Sequence, residues 1–155
     1  MEQTNSQGLT PDTLQKFYIE ELKFIQEAIK RFALNSFQIK GWAITLVVVS
    51  LLLKSSENPL LAQCQGFIAI IPLILFWFLD AYFLKQERMY RKLYKWVVEN
   101  RLKEEKNLFS MDASEYEKHV QSVFRTMFSI TLVTFYGIIF ILIALYGIIL
   151  HHIHI

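Results

Sequence analysis

Three blocks of the chain hold almost nothing but apolar residues, and their spacing organises the rest. The last, Phe128 to Leu150, reads FSITLVTFYGIIFILIALYGIIL and carries no charge. As a helix it extends roughly 35 Å at 1.5 Å per residue, enough for a bilayer core of about 30 Å. The first, Gly41 to Leu53 (GWAITLVVVSLLL), and the cleanest part of the second, Phe67 to Leu79 (FIAIIPLILFWFL), are shorter. Each alone covers about 20 Å, so both must recruit flanking residues, thin the bilayer or keep polar flanks inside a bundle. The pattern predicts spans at about 33–53, 60–84 and 128–150. Between the first two lies Lys54-Ser55-Ser56-Glu57-Asn58-Pro59, a connection short enough to force an antiparallel helical hairpin.

The polar stretches also read as helix. Thr10-Pro11-Asp12 combines a capping hydroxyl, a first-turn proline and an acid at the positive dipole end. From there Leu14, Tyr18, Leu22, Ile25, Ile29, Phe32, Ser36 and Ile39 step mostly by fours and threes, an apolar seam at coiled-coil spacing that runs up to the first span. After the second span, Met89, Leu93, Trp96 and Val97 predict an amphipathic continuation to about Lys106, followed by a turn at Asn107 to Ser110. Asp112 with Glu115 forms a capping-box pattern, and Tyr116, Val120, Val123 and Met127 lead from it into the last span. The expected fold is all-α: one membrane domain over residues 10–155, built of three long helices that each span the membrane and extend into the cytoplasm through 10–40 and 85–127. Pro72 is expected to kink the second helix, and residues 1–9 to be disordered.

Composition agrees with a membrane location. The 155 residues are 54% hydrophobic and 19% charged, more apolar and less charged than the usual soluble domain. An aromatic share of 15% argues against disorder, and the single Cys64 excludes a disulfide scaffold. A net charge of +2 gives no strong overall field for nucleic acid. The distribution of Lys and Arg is more telling: five in residues 1–40, one in 54–59, ten in 85–127. The positive-inside bias places the N-terminus and the middle segment in the cytoplasm, and the hairpin tip and C-terminal tail outside. No cleaved signal peptide is expected, since the first apolar block begins some forty residues in.

Polar residues at the span boundaries are the first candidates for function. Counted from the outer ends of the short blocks, Lys40 lies 13 residues past Leu53 and Asp80 lies 14 past Gly66. Both are thus roughly 20 Å deep on hairpin neighbours, where a lone charge costs about 2.5–3.5 kcal/mol on insertion scales. One reading is a structural ion pair, with Lys40 snorkelling. The other places Lys40 and Asp80, with Asn35, Ser36 and Gln38, around a wet cavity that becomes a pore ring in an oligomer. A second candidate surface is basic and aromatic: Lys85, Arg88, Tyr90, Arg91, Lys92, Tyr94 and Trp96, just cytoplasmic of a span. Its default role is to anchor on anionic headgroups or a partner. Direct RNA binding by phosphate contacts and stacking is not expected without an RNA-binding fold.

Enzyme signatures are thin. Glu115 and His119 lie one helical turn apart, but no HExxH or second histidine accompanies them, and they read as a solvated face. His151, His152 and His154 sit in a tail that offers no fixed geometry. No Arg precedes a His at the close spacing of helical ribonucleases. No catalytic, cofactor-binding or metal-ligating residue is assigned, and no cofactor or enzymatic activity is expected.

Two stretches together carry a resemblance: Asn35-Ser-Phe-Gln-Ile-Lys-Gly-Trp42 entering the first span, and Phe76-Trp-Phe-Leu-Asp-Ala-Tyr-Phe-Leu-Lys-Gln-Glu-Arg-Met-Tyr-Arg-Lys-Leu-Tyr94 leaving the second. Over residues 14 to about 97 the chain resembles a family of small bacterial multi-helix membrane proteins encoded beside antiphage systems. Within it, the chain is similar to the pore-forming membrane accessory proteins of type VI-B CRISPR loci. The resemblance implies a homo-oligomeric inner-membrane effector that depolarises or permeabilises the membrane when a cytoplasmic RNA-guided nuclease or other defence sensor fires. Lys40, Gly41, Trp42, Asp80 and Arg88 are the motif positions to test. The alternative is a non-conducting scaffold or anchor that recruits a soluble partner through its cytoplasmic helices.

Overall fold

The computed structural model describes residues 11–52, 59–101 and 109–153, with the side chains of 59–69, 150, 151 and 153 excepted. The expected N-terminal disorder, the Thr10 cap, most of the hairpin connection, the Cys64 side chain, the helix end near Lys106 and the last two tail residues lie outside the described residues. All regular structure within them is helical.

Two helices of 42 residues, α1 (Pro11–Leu52) and α2 (Pro59–Asn100), form the hairpin. Each measures about 63 Å, enough to cross a bilayer core and project as far again into water. Asp12 lies in the first turn of α1 and pairs with Lys16 one turn on. The seam residues of α1 all turn inward: Ile25, Ser36 and Ile39 are buried, and Leu14, Tyr18, Leu22, Ile29 and Phe32 are half-buried. Beyond them Ala43, Val47 and Ser50 continue the same stripe to the end of the helix. Helix α2 runs through Pro72 without interruption.

The core falls into two clusters along the hairpin. In one, Ile25 of α1 meets Met89, Leu93 and Val97 of α2, with Ala113 of the returning chain laid across them. In the other, Ala43 and Val47 meet Leu73 and Ala81, and Leu132, Tyr136 and Ile139 close the group.

The third part of the chain differs from the expected continuous helix. Ser114–His119 is a 3-10 helix, Val120 is extended, α3 (Val123–Met127) is a single short turn, and only then does α4 (Ile130–Ile153) begin. The physical reasons are local. Asp112 Oδ1 accepts the Ser114 amide at 2.8 Å, an Asx turn two residues long in place of a box reaching to Glu115. Ser122 caps α3 by accepting the Arg125 amide at 3.4 Å. At the junction with α4, the Trp77 indole donates to the Met127 carbonyl at 3.0 Å, pinning the break against α2. The approach is fixed as well. Phe109 takes a φ of 60°, a conformation that side chains rarely adopt, and its ring packs on Phe17 and Phe24 at 5.6 and 6.4 Å. Residues 109–122 therefore form a strap over the α1–α2 hairpin. The Lys85–Glu117 pair and the hydrogen bond from Tyr90 Oη to the Met111 carbonyl (3.0 Å) hold it in place.

Among the described residues, two helices are long and apolar enough to cross a membrane: α1, and residues Ile130–Ile149 of α4. Only 17% of the α4 stretch is buried, whereas the central helix of a water-soluble domain is mostly covered. Large apolar side chains stand outward around the same zone, among them Trp42, Val48, Leu52 (76% exposed), Leu75, Leu79, Ile130 (83% exposed), Ile141 and Leu145. An uncovered apolar surface this continuous marks a contact with lipid or protein.

Candidate functional site

Three helices converge on Asp80. Its side chain is fully buried, set on α2 immediately before Ala81, which packs in the apolar cluster shared with α1 and α4. Lys40 reaches it from α1, with Nζ 2.9 Å from Oδ1 and 2.7 Å from Oδ2. Ser36, one turn earlier on α1, donates its hydroxyl to Oδ1 at 2.5 Å and accepts from Lys40 Nζ at 2.8 Å. From α4, the buried Tyr136 donates its hydroxyl to Oδ2 at 3.2 Å. The Lys40 ammonium also lies 5.9 Å from the centre of the Phe135 ring. Each carboxylate oxygen thus has the ammonium and one hydroxyl, and the group carries no net formal charge. That closure is what makes a buried charge tolerable in low dielectric.

Of the five polar residues predicted at this level, Ser36, Lys40 and Asp80 come together. Asn35 is half-buried and Gln38 exposed on other faces of α1. Gly41 has open space where a Cβ would stand, and Trp42 points outward. Sequence reasoning missed Tyr136, whose hydroxyl is hidden in a long, predominantly apolar run.

A second buried pair ties the far ends of the hairpin together. Arg101 Nε donates to Glu21 Oε2 at 2.7 Å and Nη2 to Oε1 at 2.5 Å, a planar two-point clasp with side chains 4% and 0% exposed. The guanidinium also covers the Trp96 ring, 5.2 Å from its centre. This pair was missed too. A signal existed, because Glu21 stands three residues after Tyr18 and four before Ile25, in phase with the apolar seam.

The basic and aromatic stretch of α2 divides into two faces. Tyr90 bonds to the strap, Tyr94 accepts from Gln26 Nε2 at 3.0 Å, and Trp96 packs under Arg101. These rings are engaged within the protein, so they do not form a free platform for stacking bases. Arg88, Arg91 and Lys92 lie on the outer side, with Arg91 paired to Glu87 at 2.7 Å and Arg88 bonded to Gln121 at 3.2 Å. Lys85 points to the strap and meets Glu117 at 2.5 Å.

That last contact sets a pH response. The hydrogen bond from Lys85, followed by its charge, holds the Glu117 carboxyl below the ordinary carboxylate range. A lowered folded value means that the contact contributes above the unfolded carboxylate value and is lost as pH falls through the folded one. Amide protection across residues 111–121, referred to the intrinsic exchange rate at each pH, is therefore expected to fall in acid below about pH 4, with little change in α4. The Lys85→Gln variant should remove the Glu117 share of that sensitivity and leave the share of Asp112, whose carboxyl the Ser114 hydrogen bonds likewise hold below its ordinary range.

Glu115 and His119 are both exposed on the 3-10 helix, and no cluster of metal-ligating side chains occurs among the described residues. Comparison with protein-family models, curated proteins and solved structures found no match for this chain.

Proposed function

We propose that this protein is a membrane-embedded helical effector whose protomers assemble into a pore in the bacterial inner membrane and act in antiphage defence. The reading is carried by one observation: a closed ionic network at the waist of an uncovered apolar surface. A charge cluster of this kind between helices is the usual mark of a functional locus in a membrane protein. In this reading α2 is the third span, beside α1 and α4. The N-terminus and the strap are cytoplasmic, and the C-terminus lies outside. Three helices are too thin to enclose a wide water path, so conduction needs several copies. The defence role rests on the resemblance of residues 35–42 and 76–94 alone. A cytoplasmic RNA-guided nuclease or other defence sensor would act on the α1–α2–strap assembly.

The test is membrane potential and dye leakage in cells expressing the protein, alone and with its neighbouring genes. Depolarisation is expected when the pathway is triggered. Protection or toxicity with the potential intact would overturn the pore reading.

A second reading, a non-conducting scaffold, is favoured by a specific feature. Every charged and hydroxyl group of the Asp80 network finds its partner inside one chain, so neither sister subunits nor a water path is needed to shelter it. Replacing Lys40 by Met together with Asp80 by Leu separates the two readings. A scaffold keeps its partner and its phenotype, whereas a pore lined by this network loses conduction while still inserting.

A further inference from the structure

Beyond the Asp80 network, the outer face of α2 and the strap flank an open cleft. Arg88, Arg91, Lys92 and Lys95 recur at three- and four-residue steps and so share one side of the helix. His119, Val120 and Gln121 supply the opposing wall, and about 390 Å³ lies between them. That volume falls at the lower end of the range of roughly 300–1,000 Å³ found for small-molecule sites. Gln121 Oε1 accepts from Arg88 and fixes the guanidinium against the wall. Carboxylates offset only part of the charge: Glu87 pairs with Arg91 at 2.7 Å, and Glu99 approaches Lys95 at 3.8 Å. Arg88 and Lys92 face no carboxylate among the described residues, which leaves two formal positive charges on a walled, solvent-open cleft.

Depth adds a second constraint, which rests on the membrane reading above. Arg88 lies 8 residues past Asp80 and Lys95 lies 15 past it, or about 12 and 22 Å along the helix. With Asp80 roughly 20 Å from the outer edge of a core about 30 Å thick, Arg88 falls at the level of the inner phosphates and the cleft opens just beyond.

We infer that the cleft between α2 and the strap binds a phosphate ester of net negative charge, with Arg88 and Lys92 as its principal cation pair and His119 and Gln121 as its wall. The depth favours an anionic phospholipid headgroup as the source. A soluble phosphate ester carries the same recognition chemistry.

The experiment is native mass spectrometry of the detergent-solubilised full chain, titrated with phosphatidic acid, phosphatidylglycerol, phosphatidylcholine or glycerol 3-phosphate. One phosphatidic acid or phosphatidylglycerol is expected per chain, at least about tenfold preferred over phosphatidylcholine. Arg88→Gln with Lys92→Gln should reduce that preference about tenfold. Lys30→Gln with Arg31→Gln, an equal loss of charge on α1, should leave it unchanged. His119→Ala with Gln121→Ala keeps the basic face and is expected to weaken retention several-fold. Glycerol 3-phosphate that binds as tightly as the lipids, and depends on Arg88 and Lys92, assigns the site to a soluble ester. Equal retention by wild type and the Arg88/Lys92 variant, or no preference for the anionic lipids or glycerol 3-phosphate over zwitterionic phosphatidylcholine, overturns the inference. Flotation with phosphatidylcholine vesicles reports insertion separately. Failed insertion thus counts against the membrane reading, and lost selectivity against this site.

Discussion

Asp80→Ala is expected to lower the unfolding free energy by about 3–5 kcal/mol, the range for removing one partner of a buried ion pair. The substitution strands the Lys40 ammonium between Ser36 and the Phe135 ring and leaves the Tyr136 hydroxyl without its acceptor. Titration with sodium dodecyl sulfate from mixed micelles, followed by far-ultraviolet circular dichroism, measures the change. The triple variant Lys40→Met, Asp80→Leu, Tyr136→Phe removes the whole charged group at similar volume. It is expected to be neutral or more stable than wild type by up to about 4 kcal/mol, with the Ser36 hydroxyl free to bond back to its own helix. An Asp80→Ala variant within about 0.5 kcal/mol of wild type, the ordinary scatter of a surface change, would show that the network is wet and weakly coupled. If the triple variant is stable but inactive, the network serves function at a cost in stability.

Arg101→Ala is the second large effect. It leaves the fully buried Glu21 carboxylate without its two-point partner and uncovers Trp96, again at a cost of about 3–5 kcal/mol. Here the damage should be local. Hydrogen exchange is expected to rise over residues 14–30 and 89–100, where the charged halves of α1 and α2 pack, and to stay unchanged in α4. Arg101→Lys should fall between wild type and Ala, because an ammonium keeps the charge but not the fork or the flat face over the indole. Uniform loss of protection along the whole chain would mean that the two ends of the hairpin unfold as one unit.

What could be read from the sequence follows the range of the forces involved. The α1 seam was visible from Leu14 to Ile39 because helical burial repeats at a fixed short step. Lys40 and Asp80 were visible as a pair because a hairpin with a short connection makes depth countable from either end. Pairing across 80 residues, as between Glu21 and Arg101, leaves no local periodicity, although a carboxylate in phase with the seam was itself a clue. Tyr136 left none. In a stretch that is otherwise apolar, with hydroxyls at Ser129, Thr131, Thr134, Tyr136 and Tyr146 scattered around the helix, nothing distinguishes the face that turns inward. The broken third helix was misread for a different reason. Tyr116, Val120, Val123 and Met127 do turn partly inward, but an extended Val120 and the Ser122 cap allow the same inward spacing without one continuous helix.

The two ionic clasps also constrain how the hairpin can move. They lie 19 residues apart on α1, and 21 apart from Asp80 of α2 to Arg101 just past its end, at separations of about 30 Å along each rod. Sliding α1 along α2 by a single turn would rupture both at once, so the pair behaves as a stiff beam rather than a piston. Helix α4 is tethered far more lightly, by the Tyr136 hydroxyl at one level and by Tyr146 Oη to the Leu51 carbonyl at 3.1 Å at another. A rearrangement that spares the beam is therefore left to the strap or to α4, and a swing of α4 about its pinned start would break the bonds from Tyr146 to Leu51 and from Tyr136 to Asp80.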